Sequence, residues 1–180
     1  IVAYQTAYLK ANYPVEFLCA MMTNDMGDTA KLSEYIAEAR TMGIEVLAPD
    51  VNESHLFFAP AREGTVIRFG LAAIKGVGEA AVQVMLKARE EGGKFTSLSD
   101  MCERVDGRAV TRKTLEALIK TGACDGFGLN RATLFAQIER TLARAASIVS
   151  DRAKGQSSLF GVLEEKASSV MPEAISSLPE

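Results

Sequence analysis

Apolar residues recur at helical spacing along most of this chain and follow strand-like patterns in one short stretch only. Tyr4 to Ala11 reads as a helix with an apolar face, ended by Asn12-Tyr13-Pro14. Proline suits a first helical turn, so a second helix starts there and carries Phe17, Leu18, Met21 and Met22 to about Asn24. Asp28 or Thr29 caps a third, with Leu32, Tyr35, Ile36 and Ala39 on one face and Gly43 at its end. Ile44 to Leu47 reads as a short strand running into the Ala48-Pro49-Asp50 turn. Phe57-Phe58 and Thr65 to Phe69, joined around Glu63-Gly64, predict a small β-hairpin. Helical periodicity then resumes over roughly 71–75, 79–91, 97–105, 111–121 and 130–153, with Ser97, Thr111 and Asn130 as N-caps. Gly155-Gln156-Ser157-Ser158 is expected to break the last helix, and the Ser-, Pro- and Glu-rich tail from Ala167 to be disordered. The expected fold class is mainly α. A helical segment over 1–69 carries a small β element at about 44–69, a helical domain follows over 70–154, and 155–180 is linker and tail.

Two glycine-rich bends stand out within the helical part. In Ile74-Lys75-Gly76-Val77-Gly78-Glu79, two glycines let the chain turn sharply and bare backbone N–H groups at the start of the next helix. Such donors, at the positive end of a helix dipole, suit a phosphate. This is the pattern of a helix-hairpin-helix element, which grips a nucleic-acid backbone without reading bases. A second, degenerate copy runs from Leu115 through Lys120, Gly122, Cys124, Gly126 and Gly128 to a helix that Asn130 caps. The predicted phosphate contacts are Lys75, Gly76, Val77 and Gly78 in the first bend. In the second they are Gly122, Gly126 and Gly128, with Lys120 and Arg131 assisting. Arg108, Arg112 and Lys113 extend the basic track. The plainer alternatives are two helical corners and a solvated basic face.

Net charge is −3, but it is unevenly spread. Residues 1–61 hold 3 Lys/Arg against 8 Asp/Glu, whereas 107–154 hold 9 against 4, so the basic block covers the second bend. Phosphate contact needs a local basic face rather than a basic protein. Cys19, Cys102 and Cys124 lack metal-site spacing and read as buried free thiols of a reducing compartment, and His55 is the only histidine. Asp25, Asp28, Asp50 and Glu53 read as caps and turns rather than ligands of a catalytic metal pair. No apolar run is long enough to span a membrane. The start at Ile1 reads as that of a piece of a longer protein.

Five blocks resemble, in order and spacing, the alpha-subunit family of bacterial DNA polymerase III, the family C replicative polymerases. They are Tyr4-Gln5-Thr6-Ala7-Tyr8-Leu9-Lys10-Ala11-Asn12-Tyr13-Pro14-Val15-Glu16-Phe17, the stretch from Met42 to Asn52, that from Phe69 to Gly78, Lys120 to Asp125, and Gln156 to Gly161. The resemblance implies that 1–69 is the C-terminal part of the polymerase fingers and 70–154 a tandem helix-hairpin-helix domain on duplex or primer–template DNA. It implies that the palm carboxylates lie outside this chain, so no catalytic residue, metal or cofactor is expected here. Mg²⁺ would serve the longer polymerase. It also implies a bacterial cytoplasmic setting, with other replisome subunits, including the sliding clamp, meeting regions outside this chain. A structural connector, or a protein-interaction module using the acidic 1–61 surface or Gln156–Gly161, remains the alternative role.

Overall fold

The computed structural model describes residues 2–168. Three helices come first: α1 (Val2–Asn12), α2 (Pro14–Asn24) and α3 (Thr29–Thr41). Pro14 opens α2 where its missing N–H costs nothing. Asp28 caps α3, its carboxylate accepting the N–H groups of Ala30 and Lys31. Asp25, at the end of α2, accepts the Tyr35 hydroxyl at 2.7 Å and Lys31 Nζ at 3.0 Å, which ties α2 to α3. α1 has no buried residue, and Tyr4, Tyr8, Leu9 and Tyr13 are exposed.

The β element is a three-stranded sheet of β1 (Val46–Leu47), β2 (Ala59–Ala61) and β3 (Val66–Arg68), with β3 in the centre. β2 and β3 form the hairpin, pairing Ala59 with Arg68 and Ala61 with Val66. β1 runs parallel to β3, pairing Val46 with Ile67. The hairpin strand lies at 59–61, just beyond the expected Phe57-Phe58, because Phe58 is committed to a core where its ring meets Phe69 edge-on at 4.7 Å. Arg62, Glu63 and Gly64 all take positive φ at the hairpin tip.

After a single 3₁₀ turn at Leu71–Ala73 come α4 (Glu79–Gly92), α5 (Leu98–Arg104), α6 (Arg112–Lys120), a second 3₁₀ turn at Asp125–Phe127, and α7 (Arg131–Ser168). The helix expected over 71–75 is only that one turn. Leu71 and Ala72 donate their N–H groups to the carbonyls of His55 and Leu56, both at 3.0 Å, as the free donors of a helix start can, and the turn ends because Ile74 takes extended backbone (ψ 119°) and leads into the bend at Gly76. Ser97, Thr111 and Asn130 cap α5, α6 and α7 as the sequence predicts. The break expected at Gly155 does not occur, since α7 continues to Ser168. One glycine costs a helix only about 1 kcal/mol. Of the expected disordered tail, residues 169–180 lie outside the described residues.

Two hydrophobic clusters result. One gathers α2, α3 and the sheet around Leu18, Met22, Phe58 and Ile67. The other joins α4 to α7 around Val82, Met85, Met101, Leu118 and Leu134. Val51 belongs to the second cluster although Phe58 and Ile67, later in the chain, belong to the first.

Candidate nucleic-acid interface

The first bend is held by residues with separate duties. Gly76 has φ +93°, a conformation that side chains resist. Val77 is only 6% exposed, and its N–H donates to Ile74 O at 3.0 Å, so it pins the turn from beneath and has no backbone donor to spare. Gly78 is the N-cap of α4 in extended backbone and offers no capping side chain. Glu79, Ala80 and Ala81 therefore start α4 without intrahelical acceptors for their N–H groups. Gly78, Glu79 and Ala80 are exposed. The open donors thus sit from Gly78 onward, at the positive end of the α4 dipole.

The second motif packs against the first. A Cβ at Gly76 would stand 3.7 Å from that of Ala117, so the turn rests against α6. Lys113 and Lys120, four before and three after Ala117, share that face of the helix and are exposed. Lys75 is exposed on the turn itself and makes no ion pair among the described residues. Lys120 is partly engaged, with Nζ 3.9 Å from Glu116 and 5.5 Å from the centre of the Phe135 ring. The helical spacing of Lys113 and Lys120 was readable, but their placement beside Gly76 depends on how α6 packs.

The remaining basic candidates differ. Arg108 is exposed and free of ion pairs among the described residues, beside a groove of about 870 Å³ between the 105–111 loop and α7. Arg112 bonds Glu116 at 2.8 Å and also pairs with Glu139. That contact holds the Glu116 carboxyl below the usual range. Arg131 grips both oxygens of Asp125, at 2.9 and 2.6 Å, and holds its carboxyl low in the same way. Arg112 and Arg131 thus have carboxylate partners of their own.

The second bend closes α6 in a Schellman arrangement, with Gly122 N–H on Ile119 O and Ala123 N–H on Leu118 O. Gly122 takes φ +83°, and a Cβ there would strike the Asp125–Arg131 pair. Ala123 and Cys124 are fully buried, and Ala123 O accepts the N–H of Val51 at 2.9 Å. A Cβ at Gly126 would lie 3.3 Å from Asp50 Oδ2. Gly128, with φ +74°, leads into the Asn130 cap. This bend therefore carries carboxylates on one side and a docked loop on the other.

Carboxylates outside the bends have structural partners. Asp50 Oδ1 accepts the N–H groups of Asn52 and Glu53, at 2.7 and 3.2 Å, and Glu53 pairs with Lys94. Among the described residues no three His, Cys, Asp or Glu side chains converge. Burial pushes the thiols of Cys19 and Cys124 up to about 12 and that of Cys102 to about 11, which leaves them protonated and inert near neutrality. No helix among the described residues is long and apolar enough to cross a membrane.

Comparison with known proteins agrees with this geometry. The profile of the helix-hairpin-helix motif matches residues 43–134, just over half of the chain. The chain is 46% identical over 169 residues to the DNA polymerase III subunit alpha of Deinococcus radiodurans, covering 92% of this chain and 12% of that protein. It is 44% identical over 174 residues to that of Thermus aquaticus, covering 97% of this chain and 14% of that protein. With that of Escherichia coli, identity is 40% over 166 residues, covering 92% and 14%. The chain thus spans only about an eighth of the length of these relatives. It belongs to the helix-hairpin-helix family and matches a segment of the alpha subunit of DNA polymerase III.

Proposed function

We propose that this chain is the part of a bacterial replicative DNA polymerase that holds the backbone of duplex DNA without regard to sequence, chiefly through its first hairpin. The observation that carries the reading is the uncapped start of α4 behind the Gly76–Gly78 turn, bordered by Lys75 and by the Lys113–Lys120 face of α6. Backbone donors, a helix dipole and mobile lysines attract phosphates and carry no base information. Residues 1–69 would then belong to the fingers and 70–154 to the DNA-binding unit. The catalytic carboxylates, their Mg²⁺ and the sliding-clamp contacts would belong to parts of the polymerase outside this chain. The setting is the bacterial cytoplasm.

A second role is favoured for the second hairpin alone. The Asp125–Arg131 pair and the docked Val51 fit a packing unit better than a phosphate site.

The test is fluorescence anisotropy of a labelled primer–template duplex titrated with this chain over a range of salt. Each phosphate contact contributes about 0.9 to the slope of log affinity against log salt. Lys75→Ala and Lys113→Ala should each reduce that slope by about this amount, equally for unrelated sequences. Gly78→Ala should weaken binding without loss of stability, because its φ is ordinary and the space around it is open. Sequence-selective losses, or no salt-sensitive binding by the unaltered chain, would overturn the reading.

A further inference from the structure

The segment from Asp50 to Leu56 precedes both hairpins in the chain yet reaches each of them. Its first five residues form a closed turn. Ser54 N–H donates to Asp50 O at 2.8 Å, Asp50 N–H donates to Ser54 Oγ at 3.0 Å, and Ser54 is fully buried. Asn52 uses its whole amide like a strand neighbour. It donates to Phe95 O at 2.8 Å and accepts from Phe95 N–H at 2.7 Å. Arg89, near the end of α4, donates to Val51 O and Ser54 O at 3.0 and 2.9 Å. Val51 N–H reaches Ala123 O, just past α6, while His55 O and Leu56 O hold Leu71 and Ala72 ahead of the first bend.

We infer that this segment is a cross-brace and that Asn52 is a positioning residue for DNA-backbone binding, although it does not face the phosphate. One end of the brace grips the approach to the Lys75–Gly78 turn and the other grips the end of α6. It therefore sets the spacing between the Lys75 charge and the Lys113–Lys120 face. Asn52 locks the brace to the α4–α5 link, and a side chain with both a donor and an acceptor at that reach is what Phe95 requires. The inference rests on the first hairpin being the phosphate site.

The decisive readout is the salt slope rather than affinity alone. In Asn52→Ala the lysines remain but no longer engage together, so the slope should become shallower by about one phosphate contact, roughly 0.9. Arg89→Met, which loosens the brace from its other side, should shift the slope in the same direction. Asn52→Asp, which keeps the acceptor for Phe95 N–H, should fall between. A purely structural role would lower the folded fraction and shift the salt line in parallel, and circular dichroism melts would report that loss. Parallel lines for Asn52→Ala and Arg89→Met, with the unaltered chain binding normally, would overturn this inference while sparing the hairpin reading. A lack of salt-sensitive binding by the unaltered chain would overturn both. Should Asn52→Ala fail to fold, Asn52→Asp and Arg89→Met decide the matter by the same slopes.

Discussion

Among the residues that shape the molecule, Gly70 is the least replaceable by geometry. A Cβ there would stand 2.5 Å from the backbone carbon of Phe57 and 2.7 Å from the N of Phe58. Backbone atoms so placed cannot rotate away, and the segment leading into β2 is fixed by the place of Phe58 in the core. Gly70→Ala should therefore destabilise by at least the 1–3 kcal/mol of a typical overpacking, roughly, as read by urea denaturation. Gly78→Ala in the same experiment should stay within about 0.5 kcal/mol. The two glycines flank one bend, and the sequence alone does not rank them. Gly78 sits in a visible Gly-x-Gly signature, whereas the constraint on Gly70 comes from a contact thirteen positions back. Asn52 is a similar case. In the sequence it stands only as the last residue of the Met42–Asn52 block, and its partner Phe95 lies 43 residues ahead.

At the scale of elements, what the sequence discloses is local. The Asp28, Ser97, Thr111 and Asn130 caps are all legible because a capping side chain bonds within its own first turn. The two departures among the helices arise where something other than pattern decides. The 71–75 stretch winds only once because Ile74 leaves helical backbone for the bend at Gly76, and α7 passes Gly155 because a helix can absorb one glycine. The α2–α3 joint makes a testable case. The Tyr35 hydroxyl, followed by Lys31, holds the Asp25 carboxyl below its ordinary value. A carboxyl whose folded pKa is depressed stabilises above its unfolded value, about 3.9, and loses that contribution as pH falls through the folded pKa. Thermal midpoints should thus fall below about pH 4, and less steeply in Asp25→Asn. Tyr35→Phe, which removes the main cause, should also flatten the profile. An acid limb unchanged in both variants would count against the joint.

For the whole molecule, the basic block and the acidic N-terminal part fall on different clusters. α6 and α7 carry the cations, while α2 and α3 sit with the sheet. This explains how a chain of net charge −3 can present a basic face. The same two clusters exchange chain in a way that has a consequence for proteolysis. The hairpin tip at Arg62 is exposed and invites trypsin. Val51, ahead of that cut, is buried among α4 to α7, and Ile67, behind it, is buried against α2 and the sheet. Each product would leave an anchor inside the other's core, so a nicked molecule should not come apart. The two products should co-elute on native gel filtration and separate only in denaturant. Early dissociation would mean that the clusters hold each other less firmly than this exchange implies. If they stay together, the peptide link at the hairpin tip is dispensable once folding is complete, and the pair could be reassembled from two separately made halves.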